Sequence, residues 1–446
     1  MLSLPDFRNT LTFWIFGCYL LFNYGFMQVR IPPVGGGGVP IGEVLLLWVL
    51  LTIHYPAVFS RLSRTVLLLP FLLWWMYGIG RAVASTPEYG MWALRDATHV
   101  IESLFLLVGF AFAVRPEMMG RFFMWLPNVL WLAAIYALGY PFQKTLQGFS
   151  PKLIAGAGHD VAVFFTYVNI SSLLYLFAAY LLLFKHRKGV NDKIIYLFVV
   201  FVLGANIFLV QGRTLYLQLV AIFFLFLFYR RELLGKSVVG LFLLFLFLLA
   251  VPVVGLEITG RLGQQVSLDF ILNHILAIGG IENEGVVGAA GGVHQRLGWW
   301  TKLFYEWTDN ATNFLFGLGY GFPLIDFSIG VPVREPHNSY ISVIARLGLV
   351  GISLFVWMHI LLLRVWRKAY RECTRLKWRE GQNRLLLLMV FFILIWVLCI
   401  GEDGLEKPFN AIPYYFFWGI VLRFAYHLKH GNIGPAASLN ENPASS

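Results

Sequence analysis

Long apolar runs alternate with short polar breaks along this chain, and the runs have the length that ~30 Å of hydrocarbon requires of a helix, about 20 residues. Twelve of them stand near 12–28, 41–59, 65–83, 98–114, 122–140, 163–184, 194–210, 214–229, 237–254, 338–363, 385–401 and 411–428. The predicted fold class is therefore all-α, a polytopic membrane protein of about twelve transmembrane helices. One polar stretch is far longer than the rest and separates the ninth run from the tenth. The chain divides into transmembrane helices 1–9 over 1–254, a large helical loop over 255–336, transmembrane helices 10–12 over 337–430, and a tail over 431–446. The tail is rich in Ala, Ser, Asn and Pro, which bury little apolar surface, so disorder is expected there. No small-residue cleavage site follows the first run before Arg30, and that run is expected to remain as a helix.

Inside the long polar stretch, residues 262–277 place Gln264, Gln265, Asp269 and His274 among apolar positions at helical spacing, as in a helix lying on a membrane. A glycine-rich connector runs from Gly279 to Gly292. A second amphipathic stretch, 295–308, sets Trp299, Trp300, Phe304, Tyr305 and Trp307 around Arg296 and Lys302, a composition suited to the headgroup zone. The loop reads as a cap resting on the bilayer.

Composition agrees with this layout. With 59% hydrophobic and 13% charged residues, the chain is too apolar for a soluble domain. A net charge of +11 would suggest nucleic acid in a soluble protein, but here it follows from the positive-inside rule, and no nucleic-acid partner is expected. With the N-terminus placed in the cytoplasm, most of the 34 lysines and arginines fall in short cytoplasmic loops. Both termini are then cytoplasmic, and 255–336 is extracytoplasmic, periplasmic in a Gram-negative cell. Cys18, Cys373 and Cys399 fall in a span, a cytoplasmic loop and a span, so no disulfide framework or cysteine metal site is indicated.

Candidate chemistry concentrates on the external side. Glu335-Pro336-His337-Asn338-Ser339-Tyr340 re-enters an apolar helix, and Asn338 is suited to cap the first turn. His337 has two readings, a capping or headgroup contact, or a general base that takes a proton from a hydroxyl. Nearby arginines are expected to disfavour the imidazolium and keep the ring neutral. Glu402 and Asp403, after the eleventh span, are candidates to orient that ring or an arginine; an exposed loop pair is the equal alternative.

Arg213 opens a span after the short turn Gln211-Gly212, where it either snorkels to the surface or binds an anion. A guanidinium suits phosphate because its fork of donors matches the phosphate oxygens. Arg261, Arg296, Arg334 and Arg346 lie in or beside the loop and are candidates to converge with Arg213 on one anionic group, each being a solvated or headgroup-binding residue when taken alone. Arg81 is a weaker candidate on the second external loop. Gly317-Leu318-Gly319-Tyr320-Gly321 has no preceding strand and no following lysine, so it reads as a tight turn that lets backbone approach backbone. No Asp-x-Asp or His/Glu metal spacing appears outside the membrane; a metal-independent mechanism without a cofactor is expected.

In order along the chain, Gly212-Arg213-Thr214, Arg296 with Trp300, the glycine turn 317–321, and His337-Asn338-Ser339-Tyr340 followed by Leu347-Gly348-Leu349-Val350-Gly351 resemble the O-antigen ligase and O-antigen polymerase superfamily. The match covers about 205–355 in motif detail and the rest in span layout. The resemblance implies a membrane glycosyltransferase of the type C kind, metal-independent and inverting, at the periplasmic face of the inner membrane. It implies an undecaprenyl-diphosphate-linked polysaccharide as donor and, in the ligases, the lipid A core as acceptor, with membrane lipids around both. By the same resemblance His337 is the base, and Arg213 and Arg296 are diphosphate-binding positions. Arg261 is assigned by proximity, with Arg346, Asn338, Arg334, Arg81, Glu402 and Asp403 in support.

The ligase is preferred because several surplus external arginines suit a phosphorylated acceptor. The polymerase and a protein O-oligosaccharyltransferase use the same donor. From a different class, a lipid-linked oligosaccharide flippase or secondary transporter would carry charged residues along a central pathway. In the sequence, most charges outside the cytoplasmic loops appear at the external face.

Overall fold

The computed structural model describes residues 4–31, 38–139, 142–154, 160–166, 170–184, 192–210, 213–253, 291–325 and 334–435. Arg261, the amphipathic stretch 262–277, the glycine-rich connector as far as Ala290, and the tail from 436 lie outside the described residues, as do Gln211 and Gly212.

The described chain is mostly helical, with two small antiparallel strand pairs, Arg30–Ile31 with Val39–Pro40 and Lys152–Ile154 with Asp160–Ala162. Four helices are long and apolar enough to cross a membrane: Asp6–Met27, Pro116–Ala137, Ser339–Arg375 and Arg379–Gly401. Shorter apolar helices include Ile41–Thr52, Thr98–Phe112, Ser171–Leu183, Lys193–Asn206 and Thr214–Tyr229.

Several apolar runs differ from these helices in instructive ways. The run 41–59 stops being one helix at Thr52, because Pro56 cannot donate to a preceding turn and instead starts a new helix at Tyr55–Leu62. The run 163–184 is non-helical over 163–166, after a strand, and helical over Ile170–Leu183. The run 98–114 is divided into Thr98–Glu102 and Phe105–Phe112.

Helix Pro408–Lys429 forms the centre of the core. Nearly every residue from Asn410 to Phe424 is buried, including Tyr414, Tyr415 and Trp418. Phe105–Phe112 lies directly against it, and a side chain at Gly109 would strike the Phe416 carbonyl while one at Gly419 would strike the Leu106 carbonyl. Such small residues allow two backbones to approach closely where lipid offers no hydrophobic drive for helix association.

Helix Ser339–Arg375 is two helices in line. Gly348 has φ 64° and ψ −164°, a conformation that interrupts the hydrogen-bond ladder and that L side chains rarely adopt. The buried C-terminal end of the first piece is capped by the glycine turn: Leu318 N–H donates to Ala345 O at 2.7 Å and Gly319 N–H to Arg346 O at 3.1 Å. The Tyr77 hydroxyl donates to Leu347 O at 2.8 Å. Orphan carbonyls at a helix end must find donors when buried, and here a distant segment supplies them.

Glu102, His99, Arg346 and Arg423 are buried within the bundle.

Candidate functional site

The segment Arg334–Ser339 meets three other elements at one end of the bundle. Asn338 has extended backbone, and its Oδ1 accepts from Tyr340 N–H and Ile341 N–H, each at 3.0 Å, an N-cap that fixes the start of helix Ser339–Arg375. Its Nδ2 donates to Ile400 O at 2.9 Å, tying that start to the last turn of Arg379–Gly401. On the other side, Trp300 Nε1 donates to Pro336 O at 2.8 Å. Helix Gly291–Thr308 is thereby held over the entry.

His337 sits between these anchors with φ 51°, an uncommon conformation for a residue with a side chain. Its Nδ1 lies 3.2 Å from Asp403 Oδ2 and 3.5 Å from Glu402 Oε2. Both carboxylates are close enough to act on the ring by hydrogen bonding and by charge. The closeness of Asp403, then of Glu402, outweighs burial and raises the ring to about 9. The expected neutral ring is thus corrected: two carboxylates face the imidazole and favour its protonated form.

Arg296 completes this tier. Its Nη1 donates to Gly401 O at 2.8 Å, and its Nη2 stands 3.7 Å from Glu402 Oε1. Burial alone would raise Glu402, yet the cations around it, His337 first and then Lys407 and Arg296, hold it below the usual carboxylate range. Trp299, three residues on from Arg296, brings its ring to 6.2 Å from the His337 ring. Helix Arg213–Tyr229 begins at the same place: a side chain on Gly401 would meet Thr214 Cγ2 at 2.9 Å and Arg296 Nη1 at 3.9 Å. Arg213 is the first residue of that helix; its side chain lies outside the described residues, as does Arg261.

The remaining arginines are engaged elsewhere. Arg346 contributes Nη1 to Asp96 Oδ2 at 3.1 Å and Nη2 to Glu335 Oε1 at 2.9 Å, with all three side chains largely buried. Arg334 Nη2 donates to Asp96 Oδ2 at 2.8 Å and also to Gly321 O, with its guanidinium over the Trp92 ring. Arg81 Nη2 donates to Gly317 O at 2.9 Å and supports the glycine turn. The structure brings His337, Asn338, Arg296, Glu402 and Asp403 together; it places Arg334 and Arg346 in a neighbouring ion network and Arg81 against a backbone.

Three acids in this region escaped the sequence reading. Asp96 binds two arginines, Glu335 accepts from Ser342 Oγ at 3.1 Å, and Glu406 accepts from Ser339 Oγ. Burial raises Glu335 to about 7 against the pull of Arg346, and burial with Glu335 and Asp403 nearby raises Glu406 to about 8. The available signal was position, since each acid stands at the edge of an apolar run where a carboxylate needs a partner.

Chemically, the tier can hold a proton on an imidazole backed by two carboxylates, beside guanidinium donors able to meet an anion. Comparison of the sequence with protein-family models gives no match, and comparison with curated proteins gives none either.

Proposed function

We propose that the chain is a membrane glycosyltransferase that transfers a polysaccharide from undecaprenyl diphosphate to a sugar hydroxyl of the lipid A core, as an O-antigen ligase does, at the periplasmic face of the inner membrane. The observation that carries this reading is the cluster of His337, Asp403, Glu402 and Arg296 at the start of an apolar helix. In the proposed reaction the acceptor oxygen attacks the anomeric carbon, the bond to the diphosphate breaks, and His337 takes the hydroxyl proton. Arg296 and Arg213 meet the charge that develops on the leaving diphosphate, where low dielectric makes preorganised donors most effective.

With the ring at about 9, roughly one imidazole in a hundred is neutral at pH 7. The working base is scarce but correspondingly strong. The two carboxylates also favour a second assignment of roles, in which Glu402 takes the proton and the His337 imidazolium faces the diphosphate.

Arg334, Arg346 and Arg81 are occupied by carboxylates and a carbonyl, so the surplus of cations that favoured the ligase is smaller than the sequence suggests. Preference for the ligase over the polymerase or a protein O-oligosaccharyltransferase rests on the resemblance. The buried Glu102 favours a reading of a different class, an ion-coupled transporter. Purified protein reconstituted with undecaprenyl-diphosphate polysaccharide and lipid A core decides among these. A gel shift of the core is expected, and its absence would overturn the ligase reading.

A further inference from the structure

Glu102 is a carboxyl group that the cluster around His337 does not use. It ends the helix Thr98–Glu102, has no solvent exposure, and neither of its oxygens has a hydrogen-bond partner. Glu43, in the first turn of Ile41–Thr52, presents a buried Oε2 that is likewise without one. The two acids interact electrostatically with each other, and both interact with the fully buried Tyr19 of helix Leu4–Met27. Gly42, beside Glu43, lets that helix come close to Tyr19, because a Cβ there would stand 2.6 Å from the Tyr19 hydroxyl.

Titratable groups reach Glu102 from several elements, Glu406 before the central helix among them. Tyr19 faces it from the first helix and Glu43 from the second, with Arg30 next to Glu43. Tyr415 of the central helix interacts with Glu102 and with Glu406, and it is hydrogen-bonded at 2.7 Å to Nε2 of His99, one turn before Glu102. No cation pairs with Glu102 itself among the described residues. An ionised carboxylate in such a place loses its hydration and regains nothing, a cost of several kcal/mol even after relaxation. The inexpensive state is the neutral acid.

We propose that Glu102, backed by Glu43, is a proton-binding site inside the helical core. The proposal does not rest on glycosyl transfer, since none of its residues belongs to the His337 cluster; Glu406, which also interacts with Asp403, is the acid between the two. Loss of the proton would set an unpaired negative charge between the helices Leu4–Met27, Ile41–Thr52 and Pro408–Lys429, next to a second acid. Their packing would loosen in response, so the site makes the core sensitive to protonation.

The test is labelling of the full chain in proteoliposomes with N,N′-dicyclohexylcarbodiimide, an apolar reagent selective for protonated carboxyls. The acid O–H adds across one C=N bond, its proton going to nitrogen and its oxygen to the central carbon. The acyl group then migrates to nitrogen, giving a stable N-acylurea with no leaving group. Mass spectrometry of peptides is expected to find the adduct on Glu102 near neutral pH, falling at least about tenfold as the pH is raised by more than a unit past its midpoint. Glu43→Gln, which removes a negative neighbour, is expected to move that fall to lower pH.

Absence of the Glu102 adduct would overturn the proposal, and protection by sodium at fixed pH would replace the proton with a cation. Glu102→Gln resembles the neutral acid and is expected to keep the unfolding temperature within ~2–4 °C of the parent. A variant that unfolds or melts far lower would show that the carboxylate is needed in its charged form and would equally overturn the proposal.

Discussion

His337 Nδ1 and Asp403 Oδ2 stand 3.2 Å apart, joining residues on either side of two long helices. Asp403 is almost fully buried while the imidazole is partly open, so the pair is anchored on its acidic side and accessible on its basic side. That asymmetry decides how the ring responds to pH. Because its folded value is raised above the ordinary ~6.5, its stabilising contribution is complete below that pH and is lost as pH climbs through about 9.

Thermal stability is therefore expected to decline between pH ~6.5 and about 9 in the parent protein and to decline less in His337→Gln. Melting curves across that window in detergent provide the measurement. An identical pH dependence in both proteins would mean that the ring is not held by its two carboxylates.

Transfer activity is expected to fall by ~10²–10⁴ in His337→Ala. If the neutral ring is the base, the parent rate rises with pH through about 9, and Asp403→Asn moves that inflection down toward ~6.5. A rate that instead falls through about 9 would make the imidazolium the working form and pass the base role to Glu402.

Arg296→Ala is expected to lower transfer by ~10² because one guanidinium ties Gly401 to Glu402 beside the proposed diphosphate position. Arg213→Ala should lose activity with normal expression, and Arg213→Lys should regain only part of it, since lysine keeps the charge without the fork. Full activity in Arg213→Ala would mean that this residue only reaches the membrane surface. Chelation by EDTA is expected to leave the rate intact; a strong loss would contradict metal-independent transfer.

Removal of Asp96 leaves Arg346 buried with half its ion pairing and Arg334 without its carboxylate. Asp96→Ala is expected to cost about 3–5 kcal/mol, as broken buried pairs do. Expression and unfolding temperature provide the readout, and an unchanged protein would show that the network is dispensable.

Gly348→Ala meets two obstacles, a backbone at φ 64° that costs a residue with Cβ about 1–2 kcal/mol and a Cβ position 2.5 Å from the Leu315 carbonyl. A marked fall in unfolding temperature is expected. A fully stable alanine variant would mean that the helix runs straight through this position.

Helical character was legible in the longest apolar runs, four of which form helices long and apolar enough to cross a membrane. Helix Arg379–Gly401, for example, adds only one polar turn to the run 385–401. The break at Gly348 was hidden because Leu347 and Leu349 continue the apolar pattern, and only the approach of Gly317 reveals why the helix must open there. In the site, Glu402 and Asp403 were candidates to orient the His337 ring, but only tertiary packing shows that both face it while Arg334 and Arg346, expected to keep it neutral, are held by other carboxylates. Asp96 with Arg346 is the same problem at greater distance: Arg346 was legible as a charge inside an apolar run, but only tertiary packing brings Asp96 to it and removes Arg346 from the free cations.

The interruption at Gly348 makes the first turns after Ser339 a lever with its pivot inside the bundle. Residues 349–375 are seated by Phe355, Met358, Leu362 and Trp366, whereas the turns before the pivot are fastened to the glycine turn through Leu318 and Gly319. Helix Gly291–Thr308 grips the same part through Trp300 and Pro336. The position of His337 therefore depends on that helix and on the short arm together, each fastened to it from a different side.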